Sequence, residues 1–535
     1  MILYYLTGIY NYHTTFNFLI MHIKTHFNFY RFLYTLAACT IAFICTAQDF
    51  TYDGINYSVI SETEKTCTTR RGGSNLWGYY PGNPQARGFV SIPETVLYEG
   101  DEYKVVEIGR NSFVDCQEIT SIELPSTIST IGERAFMRCM NMEGELTLPE
   151  SIITVDKEAF SNCRSLTGTL FIPENLTEIA EMAFEGCQNI EEIVLPHTLS
   201  SIGKGAFRGC EGVTEVEIPA SVTFLGDEAF SDCVSLTSVA LLSTSVTKVS
   251  NRLFKGCVSL ESIILPDWIT EIGIHSFESC KSLMDVVMSP YLTTIQWGAF
   301  SRCSSLSHID FPESLTYIGA GAFVGTAFVT FDWPETVTEI QGNMFSSCDF
   351  LESVNIPETV TQIKMYAFRS CGSLESIDIP DSMEWIDIFA FEDCTALKTV
   401  KFGKNLKEIG SSAFYNCDNV RKVISYNPEP PEANSNFFGS GIDESIYRDK
   451  IFTRPEEADL YVPFSSIELY RNSIGWDRFK NYYPIEEDVT AVGEVDKELF
   501  SETLIYNLQG VRMGSDVNAL SPGIYIINGK KVVVR

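Results

Sequence analysis

The chain has 535 residues, of which 38 are Lys or Arg and 70 are Asp or Glu, so its formal net charge at pH 7 is −32. This charge argues against nucleic acids and anionic membranes as partners, because both are bound through clusters of Lys and Arg. It keeps an elongated protein soluble, and it leaves basic protein surfaces and divalent cations as the complementary partners.

A targeting segment begins the chain. Basic residues lie between Lys24 and Arg31, an apolar run covers 32–45, and Cys45-Thr46-Ala47 before Gln48 resembles a small-residue cleavage site. We therefore predict a signal peptide over 1–47 and a secreted or outer cell-surface protein. The apolar run is too short to favour a retained membrane-spanning helix in the mature chain.

Two alternatives remain open at this end of the chain. Met21 is a second candidate for the true start, because residues 1–20 are unlike a signal peptide. The stretch Leu36-Ala37-Ala38-Cys39 fits a lipobox, in which acylation of Cys39 would anchor the protein.

Residues 48–100 are predicted to form an N-terminal β cap. A strand-like stretch from Phe50 to Val59 is followed by a Gly-rich loop over 70–88 and by Val90-Ser-Ile-Pro93. Such a cap protects the first open edge of a stack of strands.

A single motif then recurs through 101–425: a small residue, Phe, two variable residues and Cys, with a hydrophobic run and usually a proline between copies. It occurs fourteen times at a spacing of 22 to 24 residues. A constant period of this size predicts a solenoid. The repeated phenylalanines are Phe113, Phe136, Phe160, Phe184, Phe207, Phe230, Phe254, Phe277, Phe300, Phe323, Phe345, Phe368, Phe391 and Phe414.

One copy predicts the structure of all of them. Leu260, Ile263 and Leu265 alternate with polar residues, as in a strand with one buried face, and Pro266 ends that strand because it has no N–H to donate. A second short apolar pair follows, and Gly273 then begins a tight turn or a single helical turn that carries Phe and Cys inward. The prediction is a mostly β solenoid of about fourteen repeats with short helical turns and β caps.

The sequences Leu-x-x-Ile-x-Leu-Pro, Ile-x-x-Ile-Gly and Ala-Phe-x-x-Cys resemble the BspA-like leucine-rich repeat family over roughly 90 to 425. The resemblance implies a leucine-rich-repeat solenoid in a cell-surface or secreted protein of host-associated anaerobic bacteria. Some members of that family bind host matrix proteins or other cells. Individual copies depart from the motif: Thr326 replaces Cys, and Leu242, Ser289 and Gly403 stand where proline is expected.

Thirteen of the 16 cysteines occupy one position of the repeat, three residues after each Phe. This predicts a buried column in which Cys acts as a small apolar residue. Export favours disulfides as the alternative, but stacked parallel side chains point the same way and suit disulfide geometry poorly. There is no Cys-x-x-Cys, and His197, His275 and His308 lie apart in the sequence, so we predict no metal and no cofactor.

The sequence contains no recognisable catalytic set. The stretches 203–209 and 319–325 faintly resemble phosphate-binding loops, but both are the repeat motif with an additional Gly. No Gly-x-Ser-x-Gly is present, and in the mature chain Cys67 is the one thiol outside the repeated column. We predict that the protein is not an enzyme.

The first candidate binding residues interrupt a polar column. In most copies the residue eleven after each Cys is Ser, Thr or Asn, but two adjacent repeats have Trp268 and Tyr291 there, and Ile274 and Trp297 on the Gly turns that follow. We predict that these four residues form an apolar patch for a protein or sugar partner, the alternative being that they pack on one another. The polar members of the column are Thr127, Thr198, Ser221, Ser314, Thr336, Thr359 and Ser382.

The second candidate set is an acidic column, about seven residues after each Cys, formed by Asp310, Asp332, Asn355 and Asp378. Carboxylates about 5 Å apart on neighbouring strands repel one another, so the column favours a cation or a basic partner. The alternative is a solvated face without a ligand.

Three segments complete the chain. Residues 426–485 carry Trp476 and Phe479 and predict a C-terminal cap, and 486–500 is an acidic linker. Residues 501–535 are β-strand runs separated by Gly turns, and Gly523, Tyr525 and the Lys-rich final strand resemble a type IX secretion sorting signal. The alternative is a small β addition with no sorting role.

These features together favour a non-catalytic extracellular or cell-surface binding protein, a repeat scaffold for adhesion to host proteins or other cells. The alternative is a carbohydrate-binding component of a glycan-acquisition system, in which the exposed aromatic residues stack on sugar rings.

Overall fold

The computed structural model describes residues 48–72, 82–241, 245–434 and 451–485, together with the short stretches 505–507, 512–514, 520–521, 523–527 and 530–534. The predicted signal peptide and linker, the lipobox cysteine Cys39 and the proline-replacing Leu242 lie outside the described residues. None of the described helices is long and apolar enough to cross a membrane.

Strands make up most of the regular secondary structure in the described residues, which contain one α-helix, α1 (Ile467–Arg471), and the 3-10 turns Pro455–Glu457 and Phe464–Ser466. In chain order the strands are β1 (Asp49–Tyr52), β2 (Ile55–Ser61), β3 (Thr66–Thr69), β4 (Gly88–Ser91), β5 (Thr95–Tyr98), β6 (Asp101–Ile108), β7 (Ile119–Glu123), β8 (Thr130–Ile131), β9 (Thr154–Val155), β10 (Gly168–Phe171), β11 (Glu178–Ile179), β12 (Ile190–Val194), β13 (Ser201–Ile202), β14 (Glu215–Ile218), β15 (Phe224–Leu225), β16 (Ser238–Leu241), β17 (Lys248–Val249), β18 (Ser262–Ile264), β19 (Glu271–Ile272), β20 (Asp285–Val287), β21 (Thr294–Ile295), β22 (Tyr317–Ile318), β23 (Thr330–Phe331), β24 (Glu339–Ile340), β25 (Ser353–Val354), β26 (Gln362–Ile363), β27 (Ser376–Asp378), β28 (Trp385–Ile386), β29 (Thr399–Phe402), β30 (Glu408–Gly410), β31 (Lys422–Ser425), β32 (Glu432–Asn434), β33 (Asp459–Val462), β34 (Asn481–Pro484), β35 (Ile505–Asn507), β36 (Arg512–Gly514), β37 (Gly523–Ile527) and β38 (Lys530–Val534).

The repeats coil into a β-solenoid of about 16 turns, as the period predicts. Each coil has three sides, which we name the first side, the second side and the turn side. The first side holds the strand that runs up to the proline position, as in β18 and β20, and the second side holds the short strand after it, as in β19 and β21. Neighbouring coils pair in parallel one repeat apart, with Ile263 opposite Val286 on the first side and Ile272 opposite Ile295 on the second.

The turn side takes the tight-turn form of the two predicted alternatives. In every one of the fourteen repeats the residues two before and two after the Phe have a left-handed φ, as His275 (φ 54°) and Ser279 (φ 65°) do around Phe277. Because of this alternation, every second N–H points at the next coil: those of His275, Phe277 and Ser279 donate to the matching carbonyls of the next repeat at 3.0, 2.9 and 2.8 Å. All three sides of a coil are therefore hydrogen-bonded to its neighbour.

The core is a continuous stack of the repeated phenylalanine rings. The rings from Phe113 to Phe414 are fully buried, and successive centroids lie 4.8 to 6.2 Å apart. Phe452 of the C-terminal end adds one further ring, 4.8 Å from Phe414. The predicted inward direction of the Phe column is confirmed.

Aromatic residues also pack at both ends of the coil. At the N-terminal end Tyr57 on β2 and Tyr103 on β6 are buried within the sheet that β1 begins. At the other end β33 and β34 extend the first side, and Trp476 donates from Nε1 to the carbonyl of Pro431 at 2.9 Å. Strands β35 to β38 form an antiparallel sheet beyond this end, and Tyr506 of that sheet contacts Phe464 edge-on at 5.1 Å.

Candidate binding surface

The first side presents one outward residue per coil between two inward apolar residues. We call this series the outer column. Its inward neighbours are apolar along the solenoid apart from the buried Ser425, whereas its own chemistry changes from one stretch to the next. In chain order it reads Glu123, Thr147, Phe171, Val194, Glu217, Ala240, Ile264, Val287, Asp310, Asp332, Asn355, Asp378, Lys401, Ile424 and Tyr461.

Large apolar side chains are exposed on two successive coils in the middle of this side. Ile264 (67 % exposed) and Val287 (54 %) are direct register partners on β18 and β20. Met284 (55 %) precedes Val287 on the same coil, and Tyr291 (63 %) follows it. We call these four residues the central patch.

Carboxylates surround the central patch. Glu261, Asp267, Asp285 and Glu313 are exposed, and no salt bridge involves any of them in the described part of the chain. Asp310, the next residue of the outer column, lies 2.9 Å from His308 on the same coil. The patch is thus apolar at its centre and anionic at its edge.

The four predicted apolar residues do not come together as one surface. Trp268 is half-buried, packs against the core and lines a small apolar cavity with Leu241 and Val246. Ile274 is also half-buried, and its N–H donates to Asn251 Oδ1 at 2.9 Å.

Tyr291 and Trp297 are both exposed, but the second side separates them. The strand β21 lies between them in the chain, so Tyr291 borders the first side and Trp297 borders the turn side. The ring of Trp297 (54 % exposed) contacts His275 edge-on at 4.5 Å. Burial lowers the pKa of this histidine, while the nearby Glu278 carboxylate acts in the opposite direction.

The polar column that Trp268 and Tyr291 interrupt has a structural role. Its hydroxyls donate to main-chain carbonyls of the preceding coil, as from Thr359 to Val337 at 3.0 Å and from Ser382 to Val360 at 2.7 Å. Where Tyr291 lacks this hydroxyl, Ser289 supplies one and donates to the carbonyl of Asp267 at 2.8 Å. Ser289, which stands at the proline position of the repeat, therefore provides the hydrogen bond that a Ser or Thr at position 291 would have made.

The predicted acidic column is partly neutralised. Asp310 and Asp332 are exposed, but Asp378 is paired with Lys401 of the next coil at 2.7 Å. This pair is one of four between the same two coils, which we call the lysine clip. Its pairs are Lys398–Glu375, Lys401–Asp378, Lys404–Asp381 and Lys407–Glu384 at 2.7 to 3.0 Å. Within the described ranges no group of three or more His, Cys, Asp and Glu could hold a metal ion.

Comparison with known families decides where the chain belongs. Residues 106–237, 225–352 and 316–440 match the model of the BspA type leucine rich repeat region, in six copies. The chain belongs to this family. The resemblance stated from the sequence is therefore confirmed for the repeats, and the likeness of the C-terminal strands to a sorting signal stays a prediction.

Solved structures of leucine-rich repeat proteins are similar to this chain. A leucine-rich repeat protein from Bacteroides ovatus is 30 % identical, with 70 % of this chain and 94 % of that one covered and a TM-score of 0.55. A leucine rich cell surface protein from Faecalibacterium prausnitzii is 24 % identical over 66 % and 94 % of the two chains, with a TM-score of 0.43. The pneumococcal vaccine antigen PcpA is 18 % identical over 78 % and 94 %, with a TM-score of 0.40. No curated protein sequence matches the chain.

The repeated thiols of this BspA-type solenoid are buried structural groups. All fourteen cysteines in the described residues are free and buried, and those of the column after Cys116 donate to the Phe carbonyl of the preceding repeat, as from Cys303 to Phe277 at 3.1 Å. Burial raises the pKa of Cys187 and of Cys67 to about 12, which disfavours the nucleophilic thiolate. At the substituted position Thr326 donates instead to the carbonyl of Phe323 in its own repeat at 3.0 Å, so this hydroxyl bonds within its repeat where the thiols bond between repeats.

Proposed function

We propose that the protein is a non-catalytic binding protein of the cell surface or extracellular space, which uses the first side of its solenoid for adhesion to host proteins or other cells. The observation that carries this proposal is the outer column. Its members are held in register by a constant core, yet their chemistry differs from coil to coil, as a surface for recognising one partner requires.

Many outward groups on the other two sides are occupied within the solenoid itself, although Phe224 on the second side and Trp297 beside the turn side are exposed. On the turn side Arg208 bridges Glu185 and Glu228 of the coils before and after it. On the second side Ser and Thr hydroxyls donate to the preceding coil, as from Thr293 to Thr270 at 3.0 Å. The outward positions of Ile264 and Val287 on the first side carry exposed apolar side chains that form neither ion pairs nor such hydrogen bonds, which supports their use for a partner.

Export and family support the location. The predicted signal peptide over 1–47 directs the chain out of the cytoplasm, and the BspA-like family resemblance implies a surface or secreted protein. Buried thiols whose pKa is raised supply no nucleophile, and a leucine-rich-repeat scaffold is typically non-catalytic, which supports a binding role.

Binding and its footprint can be measured together. The purified full chain is tested against immobilised host matrix proteins and whole bacterial cells at several salt concentrations, and any partner found is mapped by hydrogen exchange. We expect slower exchange in first-side strands such as β18 and β20. Protection confined to the turn side, or no binding to any protein or cell surface, would contradict the proposal.

A carbohydrate partner is the second candidate function, and the exposed rings of Tyr291 and Trp297 favour it. A glycan array separates the two functions. A glycan signal that is lost on Trp297→Ala and kept on Phe224→Ala, an exposed ring of the second side, would support sugar binding.

A further inference from the structure

We infer that the central patch binds a polypeptide segment whose apolar side chains are flanked by Lys or Arg. This inference rests on the proposed function and specifies its partner. Ile264 and Val287 form the middle of the patch because they are neighbours in register, and Met284 and Tyr291 extend it along the second of the two coils.

The apolar area is large for an exposed surface. Four side chains that are each more than half exposed present roughly 400 Å² of apolar surface, which is the size at which patches on monomers are often functional. Met284, Val287 and Tyr291 lie on one coil and Ile264 lies on the preceding coil, so a single short segment of a partner can cover all four residues. The main chain beneath the patch is hydrogen-bonded to the neighbouring coils on all three sides of the solenoid. The patch is therefore preformed, and binding costs little conformational entropy.

The charge at the edge selects the partner. Residues 257–300 contain five carboxylates and a single Lys or Arg, Lys281. Two of the five, Glu271 and Glu278, are paired with lysines of the preceding coil on the other sides of the solenoid. The remaining three, Glu261, Asp267 and Asp285, lie around the patch.

The lysine clip provides the contrast within the same chain. Four coils further on, three acidic residues on or beside the first side, and Glu384 next to the second, are each matched by a lysine 23 residues later, and the pairs lie within 3.0 Å. Around the central patch the corresponding lysines are missing, so cationic groups of a partner can make those contacts. Such complementarity would speed association and exclude acidic partners.

The test uses peptides of known sequence. Random twelve-residue peptides displayed on phage are selected on the full chain and counter-selected on the Ile264→Ser/Val287→Ser variant, and enriched peptides are measured by fluorescence anisotropy. We expect apolar residues with adjacent Lys or Arg in the enriched peptides. Binding should weaken roughly tenfold in the double variant. Peptide binding to the Glu261→Gln/Asp285→Asn variant should depend less on salt concentration than binding to the unaltered chain.

The matched control is Phe224→Ser, which removes an equally exposed apolar side chain (58 %) from the second side and should leave binding unchanged. All variants alter exposed side chains, so circular dichroism and the unfolding midpoint should match those of the unaltered chain. Enriched peptides that are acidic, or that bind the Ile264→Ser/Val287→Ser variant equally well, would overturn the inference.

The proposed function and this inference are refuted by different results. A partner whose footprint lies on first-side strands away from β18 and β20 would refute the central patch and keep the first side as the binding side. Absence of both peptide enrichment and any protein or cell partner would refute both.

Discussion

Replacing Phe277 by alanine tests the stack of rings on which the solenoid depends. The side chain is fully buried, and its ring lies 5.7 Å from that of Phe254 and 5.2 Å from that of Phe300. Removing a buried Phe costs about 3–5 kcal/mol of unfolding free energy through lost apolar burial and the cavity left behind. Two ring pairs, each worth about 0.5–1.5 kcal/mol, are lost in the same change, so we expect the upper part of that range.

Because each coil is stabilised by its neighbours, Phe277→Ala should destabilise the coils around residue 277 first and the rest of the solenoid afterwards. Urea unfolding of Phe277→Ala should show a lowered midpoint, and hydrogen exchange should accelerate first in the coils around 254–300. Phe224→Ala is the control, since that exposed ring should change the unfolding free energy by no more than about 0.5 kcal/mol. An unchanged midpoint for Phe277→Ala, or an equal loss for Phe224→Ala, would refute the inward stack as the source of stability.

Four further outcomes are expected. Changing all four lysines of the lysine clip to Gln should lower the unfolding free energy by about 1–2 kcal/mol at low salt. Because the pairs are exposed, the loss should be smaller at high salt, and urea unfolding at the two salt concentrations measures the difference. The hydrogen bond from Lys404 lowers the pKa of Asp381, so its stabilising contribution is present above the unfolded-state pKa and is lost as pH falls through the folded-state pKa. Asp381→Asn should therefore narrow the stability difference between neutral and acidic pH, and an unaltered difference would contradict this. The buried thiols, with the pKa of Cys187 raised to about 12, should resist iodoacetamide at pH 8 until the chain is unfolded, as mass spectrometry can count. Deleting residues 504–535 should leave the solenoid folded by circular dichroism and abolish exposure at the cell surface if the segment is a sorting signal; truncated protein that still reaches the surface would favour anchoring at Cys39.

The period of the sequence was sufficient to predict the coil and its core. Apolar residues that recur every 22 to 24 positions can be buried only by stacking, which fixes the inward direction of Phe277 and Cys280 without further information. The left-handed turn positions left no comparable signal. They are occupied by Gly, Asn, Asp, Ser, Arg, Glu, Met, His, Tyr and Phe in different repeats, because the hydrogen bonds to the next coil impose the conformation whatever the side chain.

The binding surface was predicted only in part, and for a physical reason. An aromatic residue in a polar column can turn inward, as Trp268 does, or outward, as Tyr291 does, and the sequence does not distinguish the two. The central patch did leave a signal, since Ile264 and Val287 stand at strand positions that alternation assigns to polar residues. Phe452 gave no signal, because it lies 38 residues after Phe414 and so falls outside the period.

The three-sided bonding between coils has a mechanical consequence for a protein fixed at one end and held by a partner along its length. Tension between the two ends peels coils off one at a time, since each coil is tied to its neighbours alone. A released coil of 22 to 24 residues adds about 75 Å of extended chain in exchange for about 5 Å of solenoid. Such a chain can yield by small, repeatable steps under shear and recover each step when the coil closes again, while a partner seated on another coil stays in place.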